Sequence, residues 1–129
     1  MGIFDKVKNA VSGTDLDYWK VLDEESQVEE VLKASYERAQ LVYKHSHRCS
    51  ICFIAKQNIE EKSDAISEQA DMYFVNVVKS RPVSNSLTEK LGVRHESPQA
   101  LLIRNGDVIW YASHHSIKGK AIIDALNDS

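Results

Sequence analysis

Cys49 and Cys52 stand three residues apart in the run Cys49-Ser50-Ile51-Cys52, and the chain has no other cysteine. So short a loop gains little from a covalent staple, so the pair does not read as the framework of a disulfide-stabilised mini-protein. Chemistry at sulfur explains it better. Ile51, Cys52, Ala55 and Ile59 share one face at helical spacing while Lys56, Glu60 and Glu61 fall elsewhere, so a helix is expected to begin at the cysteines. At such a helix start the unpaired amides and the positive dipole end stabilise a thiolate, the nucleophilic form, at Cys49. Arg48 beside it and His47 before that add positive potential. Cys52, one turn on, is placed to attack a mixed disulfide formed at Cys49.

The same segment carries a rival chemistry. His45-x-His47 at a strand end presents both rings to one side, and with Cys49 and Cys52 the set would complete a tetrahedral zinc site. Ligands packed along one segment seldom close a structural tetrahedron, which normally joins two distant segments, and no second ligand pair stands elsewhere. The expectation taken forward is exchange chemistry without a metal.

The elements that must hold these residues follow from periodicity. Ile3, Val7, Ala10 and Val11 recur at helical spacing before Gly13, so residues 1–15 read as an appendage with a short helix, and residues 16–129 as one domain. Tyr18 to Leu22 reads as a short edge strand. Ser26-Gln27-Val28-Glu29 has the form of a capping box, opening a helix whose apolar face is Val28, Val31, Leu32 and Tyr36. Ala39 to Lys44 has the composition of a buried strand leading into the cysteines. Met72 to Val78 is a second buried strand, and Pro82 opens a helix carrying Leu87 and Leu91 that Gly92 ends. Asn105-Gly106 between Ala100–Arg104 and Asp107–Ala112 is the type I′ turn of a β-hairpin. Ile117, Ala121, Ile122 and Ala125 give a last helix, capped by Ser116, with His114 and His115 in the turn before it.

That order, β-α-β-α-β-β-α, matches a thioredoxin-like α/β fold: a central mixed β-sheet flanked by helices. In that fold the peptide bond before a proline placed like Pro98 is cis, so Ser97-Pro98 is expected to hold a loop against the cysteines and offer backbone groups to a substrate. His95 would line the site. Two positions depart from thioredoxin proper. Tyr43 stands where a buried carboxylate manages the resolving thiol's proton, and Ile51 replaces the proline between the cysteines.

With 129 residues, 43% hydrophobic and 27% charged, the chain suits one soluble core. Sixteen basic residues spread among nineteen acidic ones leave no basic stripe, so nucleic acid is not an expected partner. No apolar run is long enough to cross a bilayer and the N-terminus lacks a signal peptide's apolar core, so no membrane role and a cytoplasmic location are expected.

The stretches Lys44-His45-Ser46-His47-Arg48-Cys49-Ser50-Ile51 and His95-Glu96-Ser97-Pro98-Gln99 resemble the signatures of the monothiol bacilliredoxins of the bacillithiol system, small general-stress proteins of thioredoxin-like fold. Asn105-Gly106 through Trp110 to Ser113-His114 and Ser116-Ile117 extends the likeness. The resemblance implies that Cys49 attacks a protein–bacillithiol mixed disulfide, takes the small thiol onto itself and releases the repaired protein. Bacillithiol would be a cosubstrate, and no bound cofactor is implied. Its malate carboxylates would suit a cation such as Arg48 or Lys44. The family pattern has Ser where this chain has Cys52. Cys52 therefore either resolves the mixed disulfide or is a buried helix residue without redox consequence, and resolution is the expectation taken forward.

Two other functions are weighed against this one. A zinc module on His45, His47, Cys49 and Cys52 would bind metal stoichiometrically. A non-catalytic interaction protein of the same fold would keep its cellular function after Cys49→Ser.

Overall fold

Every residue of Ala39–His45 is buried, and this segment becomes the central strand of a five-stranded sheet. The computed structural model describes residues 18–128. In chain order the elements are β1 (Lys20–Val21), α1 (Glu25–Ala34), β2 (Ala39–His45), α2 (Ser50–Glu60), α3 (Ser63–Gln69), β3 (Ala70–Asn76), α4 (Arg81–Leu91), β4 (Gln99–Arg104), β5 (Asp107–Ser113) and α5 (Gly119–Asp128), with a 3-10 turn over His114–Ser116. The spatial order is β1-β3-β2-β4-β5. Parallel pairing joins β1 to β3 and β3 to β2, while β4 and β5 run antiparallel, so the sheet is mixed as expected. The helix expected within residues 1–15 lies outside the described residues.

Side chains alternate across β2, and each face has its own core. Leu41 and Tyr43 point to the layer of α2, α3 and α5, packed with Ala55, Ile59, Ile66 and Ile122. Val42 points to the opposite layer, with Val28 and Val31 of α1 and Val83 and Leu87 of α4. Among the described residues no helix is long and apolar enough to cross a membrane.

Several boundaries differ from the sequence reading. The first helix opens at Glu25 rather than after Ser26, because the Gln27 side-chain oxygen accepts the amides of Asp23 and Glu24, both at 2.9 Å. That helix stops at Ala34, so Tyr36 leaves its apolar face and is exposed. Ser35 turns instead to the hairpin, where its carbonyl accepts Asn105 N at 2.8 Å and its hydroxyl accepts Gly106 N at 2.9 Å. Asn105 (φ 54°) and Gly106 (φ 81°) form the expected primed turn, and a Cβ on Gly106 would stand 2.5 Å from the Tyr36 hydroxyl. The second buried strand is Ala70–Asn76, two residues earlier than read. A separate helix α3, absent from the reading, follows a break where Ser63 Oγ bonds the Glu60 carbonyl at 2.8 Å. The last helix begins at Gly119, not after Ser116. Gly119 lies so close to α2 that a Cβ there would be 2.9 Å from the Asn58 carbonyl oxygen.

Candidate active site

Cys49 is the N-cap residue of α2, with extended backbone (φ −123°, ψ 116°), and no side chain caps that helix start. The position leaves the first-turn amides of α2 turned toward its sulfur's surroundings. Cys49 is half-buried and Cys52, on the inner face of α2, is fully buried; neither is in a disulfide. Burial raises the Cys52 thiol above the ordinary range, an effect eased by the Ser46 amide and the Ser97 hydroxyl and reinforced by Cys49.

The Ser97-Pro98 peptide is cis, and Ser97 Oγ lies 3.7 Å from Cys52 Sγ. Pro98 is buried, and its carbonyl accepts the His114 amide at 3.1 Å. The loop is thus brought to the cysteines and held from the far side by the turn after β5. His114 takes a left-handed backbone (φ 54°) to make that bond, and its ring faces Glu96 at 3.6 Å. The sequence reading placed His114 in this turn but had no signal for a contact to Pro98.

Tyr43 does more than replace a carboxylate. Its buried hydroxyl donates to the Cys52 carbonyl at 2.5 Å and lies 3.1 Å from His45 Nδ1. A hydroxyl has one hydrogen, so His45 must present Nδ1–H to it, giving a chain from imidazole to phenol to the backbone of α2. Burial, then His47 and Lys56, lower His45 to about 4, which keeps it neutral at physiological pH. Burial, with the two cysteines and Glu60, pushes the Tyr43 phenol far above its usual range, so it remains a donor.

The proposed zinc set is not gathered. His45 is engaged with Tyr43 and its ring packs edge-on against Phe53 and His47, with centroids 4.8 and 4.9 Å away. Among the described residues no three of the His, Cys, Asp and Glu side chains are grouped to hold a metal ion.

Lys44 also departs from its expected place. As β2's neighbour to Tyr43 it points to the opposite face, fully buried, with Nζ 3.5 Å from Thr88 Oγ1 and 3.3 Å from His95 Nδ1. It is not available to a ligand beside Cys49, and burial lowers it to about 8. His95 Nδ1 also meets Ser84 Oγ at 3.3 Å, so its ring supports the start of the Pro98 loop. Burial, then Lys44 and Arg81, lower His95, against a raising effect of Glu96.

Arg48 is exposed and lines a depression of about 250 Å³ with His47, Asn76, Val78 and Lys79, past the shared end of β2 and β3. Asn76 and Lys79 were not singled out from sequence. An Asn at a strand end is a turn former, and that was the available signal.

A mixed sheet of this order, with a cysteine pair at the helix start after the central strand and a cis-proline loop beside it, is the arrangement of a thioredoxin-fold redox protein. Solved structures agree. A provisionally assigned oxidoreductase with a thioredoxin fold is 28% identical, with a TM-score of 0.72 over 84% of this chain and 93% of its own. The fold is shared at lower identity by the thioredoxin of Malassezia sympodialis (16%, TM-score 0.65, 84% and 87% covered) and that of Fasciola hepatica (15%, TM-score 0.66, 84% and 97% covered). The family model for the monothiol bacilliredoxin BrxC matches residues 20–122, and the chain belongs to that family. Thiol redox chemistry is its function at that level.

Proposed function

We propose that this is a cytoplasmic thiol–disulfide oxidoreductase that removes bacillithiol, or another low-molecular-weight thiol, from mixed disulfides on proteins. Cys49 is the attacker and Cys52 the resolver. The observation that carries this assignment is the asymmetry of the pair: Cys49 is reachable at the helix start, while Cys52 is wholly buried behind it against Ser97.

In the first step the Cys49 thiolate attacks the small thiol's sulfur. A Cys49–small-thiol disulfide forms, and the protein leaves as a thiolate that takes a proton from water. In the second step Cys52 gives up its proton to water, or to the departing thiolate, and attacks the Cys49 sulfur. The small thiol is expelled and a Cys49–Cys52 disulfide remains, to be reduced by an external thiol. Ser97 Oγ is positioned to donate to the Cys52 thiolate as it forms, and the Ser97 backbone would pair with the protein substrate.

The test is to offer the protein a bacillithiolated substrate and weigh the products for the parent, Cys49→Ser and Cys52→Ser. Cys52→Ser should accumulate a stable adduct on Cys49, and Cys49→Ser should accept nothing. An adduct retained by Cys49→Ser would reverse the roles. A parent that holds its adduct as long as Cys52→Ser does would assign Cys52 to packing alone.

A further inference from the structure

The β4–β5 ladder runs as far as Gln99 opposite Ser113, and one further bond carries it to the site: His114 N donates to the Pro98 carbonyl at 3.1 Å. There the chain leaves its extended course. Through a left-handed backbone at His114 (φ 54°) it enters the 3-10 turn, where Ile117 N bonds the His114 carbonyl at 3.3 Å. The turn packs on α2, and Asn58 Nδ2 of that helix donates to the Ile117 carbonyl at 3.1 Å. Ile117 itself is buried in the core with Ala55 and Ile59 of α2.

These bonds close a circuit. It leaves Cys52 along α2 to Asn58, crosses to Ile117, returns through His114 to Pro98, and ends at Ser97, whose Oγ lies 3.7 Å from Cys52 Sγ. His114 is where the circuit reverses direction. Its conformation is one that β-branched residues avoid and that Asn and Gly adopt readily. Its ring is exposed and faces Glu96 at 3.6 Å, outside the circuit, so what His114 contributes to the circuit is its backbone.

We infer that His114 is a positioning residue for the second exchange step: its left-handed backbone holds the Ser97 hydroxyl at Cys52 and so sets the rate at which Cys52 displaces the small thiol from Cys49. This rests on the exchange reading above and deepens it. In that step the Cys52 proton passes to water, the Cys49–Cys52 bond forms, the bond from Cys49 to the small thiol breaks, and the small thiol leaves as a thiolate. The Ser97 hydroxyl donates to the Cys52 sulfur while that sulfur is ionised, so a displaced loop is felt there. The first step, at the Cys49 sulfur, does not use this hydroxyl.

The test uses the full chain, with excess bis(2-hydroxyethyl) disulfide to load Cys49 and acid quenching before mass spectrometry to follow the adduct and its decay to the Cys49–Cys52 disulfide. In His114→Val the decay should slow about threefold or more, the scale of one lost hydrogen bond to an anion, partly offset by the greater nucleophilicity of a more basic thiolate; loading should stay within about twofold. His114→Asn lacks the ring but keeps the left-handed backbone, and should decay like the parent, as should His114→Gly. His114→Ala, a milder change, takes the place of His114→Val if that variant does not fold. In a Ser97→Ala background, itself slow, His114→Val should add less than about twofold, because the hydroxyl through which it acts is already gone. Decay at the parental rate in His114→Val overturns the inference, as does equal slowing by His114→Asn or undiminished slowing on Ser97→Ala. A parent whose adduct never decays removes the exchange reading instead. The Cys52 titration in Cys49→Ser, followed by its Cβ chemical shift, is an independent measure: His114→Val should raise it by about half a unit or more and His114→Asn should leave it in place. An unmoved titration in His114→Val overturns the inference even where the adduct never decays.

Discussion

Lys44 Nζ lies 3.3 Å from His95 Nδ1, joining the last residues of the central strand to the loop that ends at Pro98. The ammonium finds a hydroxyl and an imidazole there, not a carboxylate. Its folded value of about 8, against 10.5, means that between those pH values the unfolded chain holds a proton the folded chain has lost. Stability from this group therefore rises with pH across that window. Lys44→Met should be more stable than the parent at pH 7 by about 1–3 kcal/mol, and the gap should close by pH 10. The difference in urea midpoints between the two proteins is the measure, since Cys52, Tyr43 and Tyr73 are raised and act in the opposite direction at the alkaline end.

His45 sets an acid-side counterpart. Lowered from 6.5 to about 4, it is neutral when folded while the unfolded chain is protonated, so stability is lost as pH falls from 6.5 toward 4. The loss is about 3 kcal/mol at most. Denaturant midpoints across this range should fall more steeply for the parent than for His45→Asn, whose amide retains a donor for Tyr43.

Tyr43→Phe removes the donor to the Cys52 carbonyl and leaves His45 Nδ1–H without its acceptor. The expected cost is about 1–3 kcal/mol in chemical denaturation, with the native circular dichroism spectrum kept. A neutral substitution would mean that the chain through His45 does not hold α2.

The two sulfurs should label separately. Folded protein with iodoacetamide at neutral pH should gain one adduct, on Cys49, and a second on Cys52 only when denaturant is added. Peptide mapping by mass spectrometry reads this directly. Equal labelling of Cys52 in the native protein would contradict its burial.

Local chemistry made much of this legible. The Asn105-Gly106 turn, the Gly92 helix end and the cysteine pair at the start of α2 each depend on neighbours in sequence, and each is found where it was read. The helix starts at Glu25 and Gly119 were misplaced because Gln27 competed successfully with Ser26 and because close packing against Asn58 and Lys62 admits only glycine. Lys44 shows the larger limit. Its charge invited a role beside Cys49, but alternation along β2 sends it to the other face, where only the long-range arrival of α4 and the His95 loop makes a buried amine tolerable. The pairing of Asn76 with His47 likewise depends on two parallel strands ending side by side.

Trp19 donates its indole N–H to Glu60 at 2.8 Å, near the end of the helix that Cys49 begins, and its ring lies 5.8 Å from Tyr43. The molecule thereby carries an internal optical gauge: this shielded indole packs against Tyr43, whose hydroxyl is bonded to the Cys52 carbonyl. Its emission is expected to change between the reduced and oxidised cysteine pair, a difference to be read by fluorescence once the contribution of the partly shielded Trp110 on β5 has been removed by substitution.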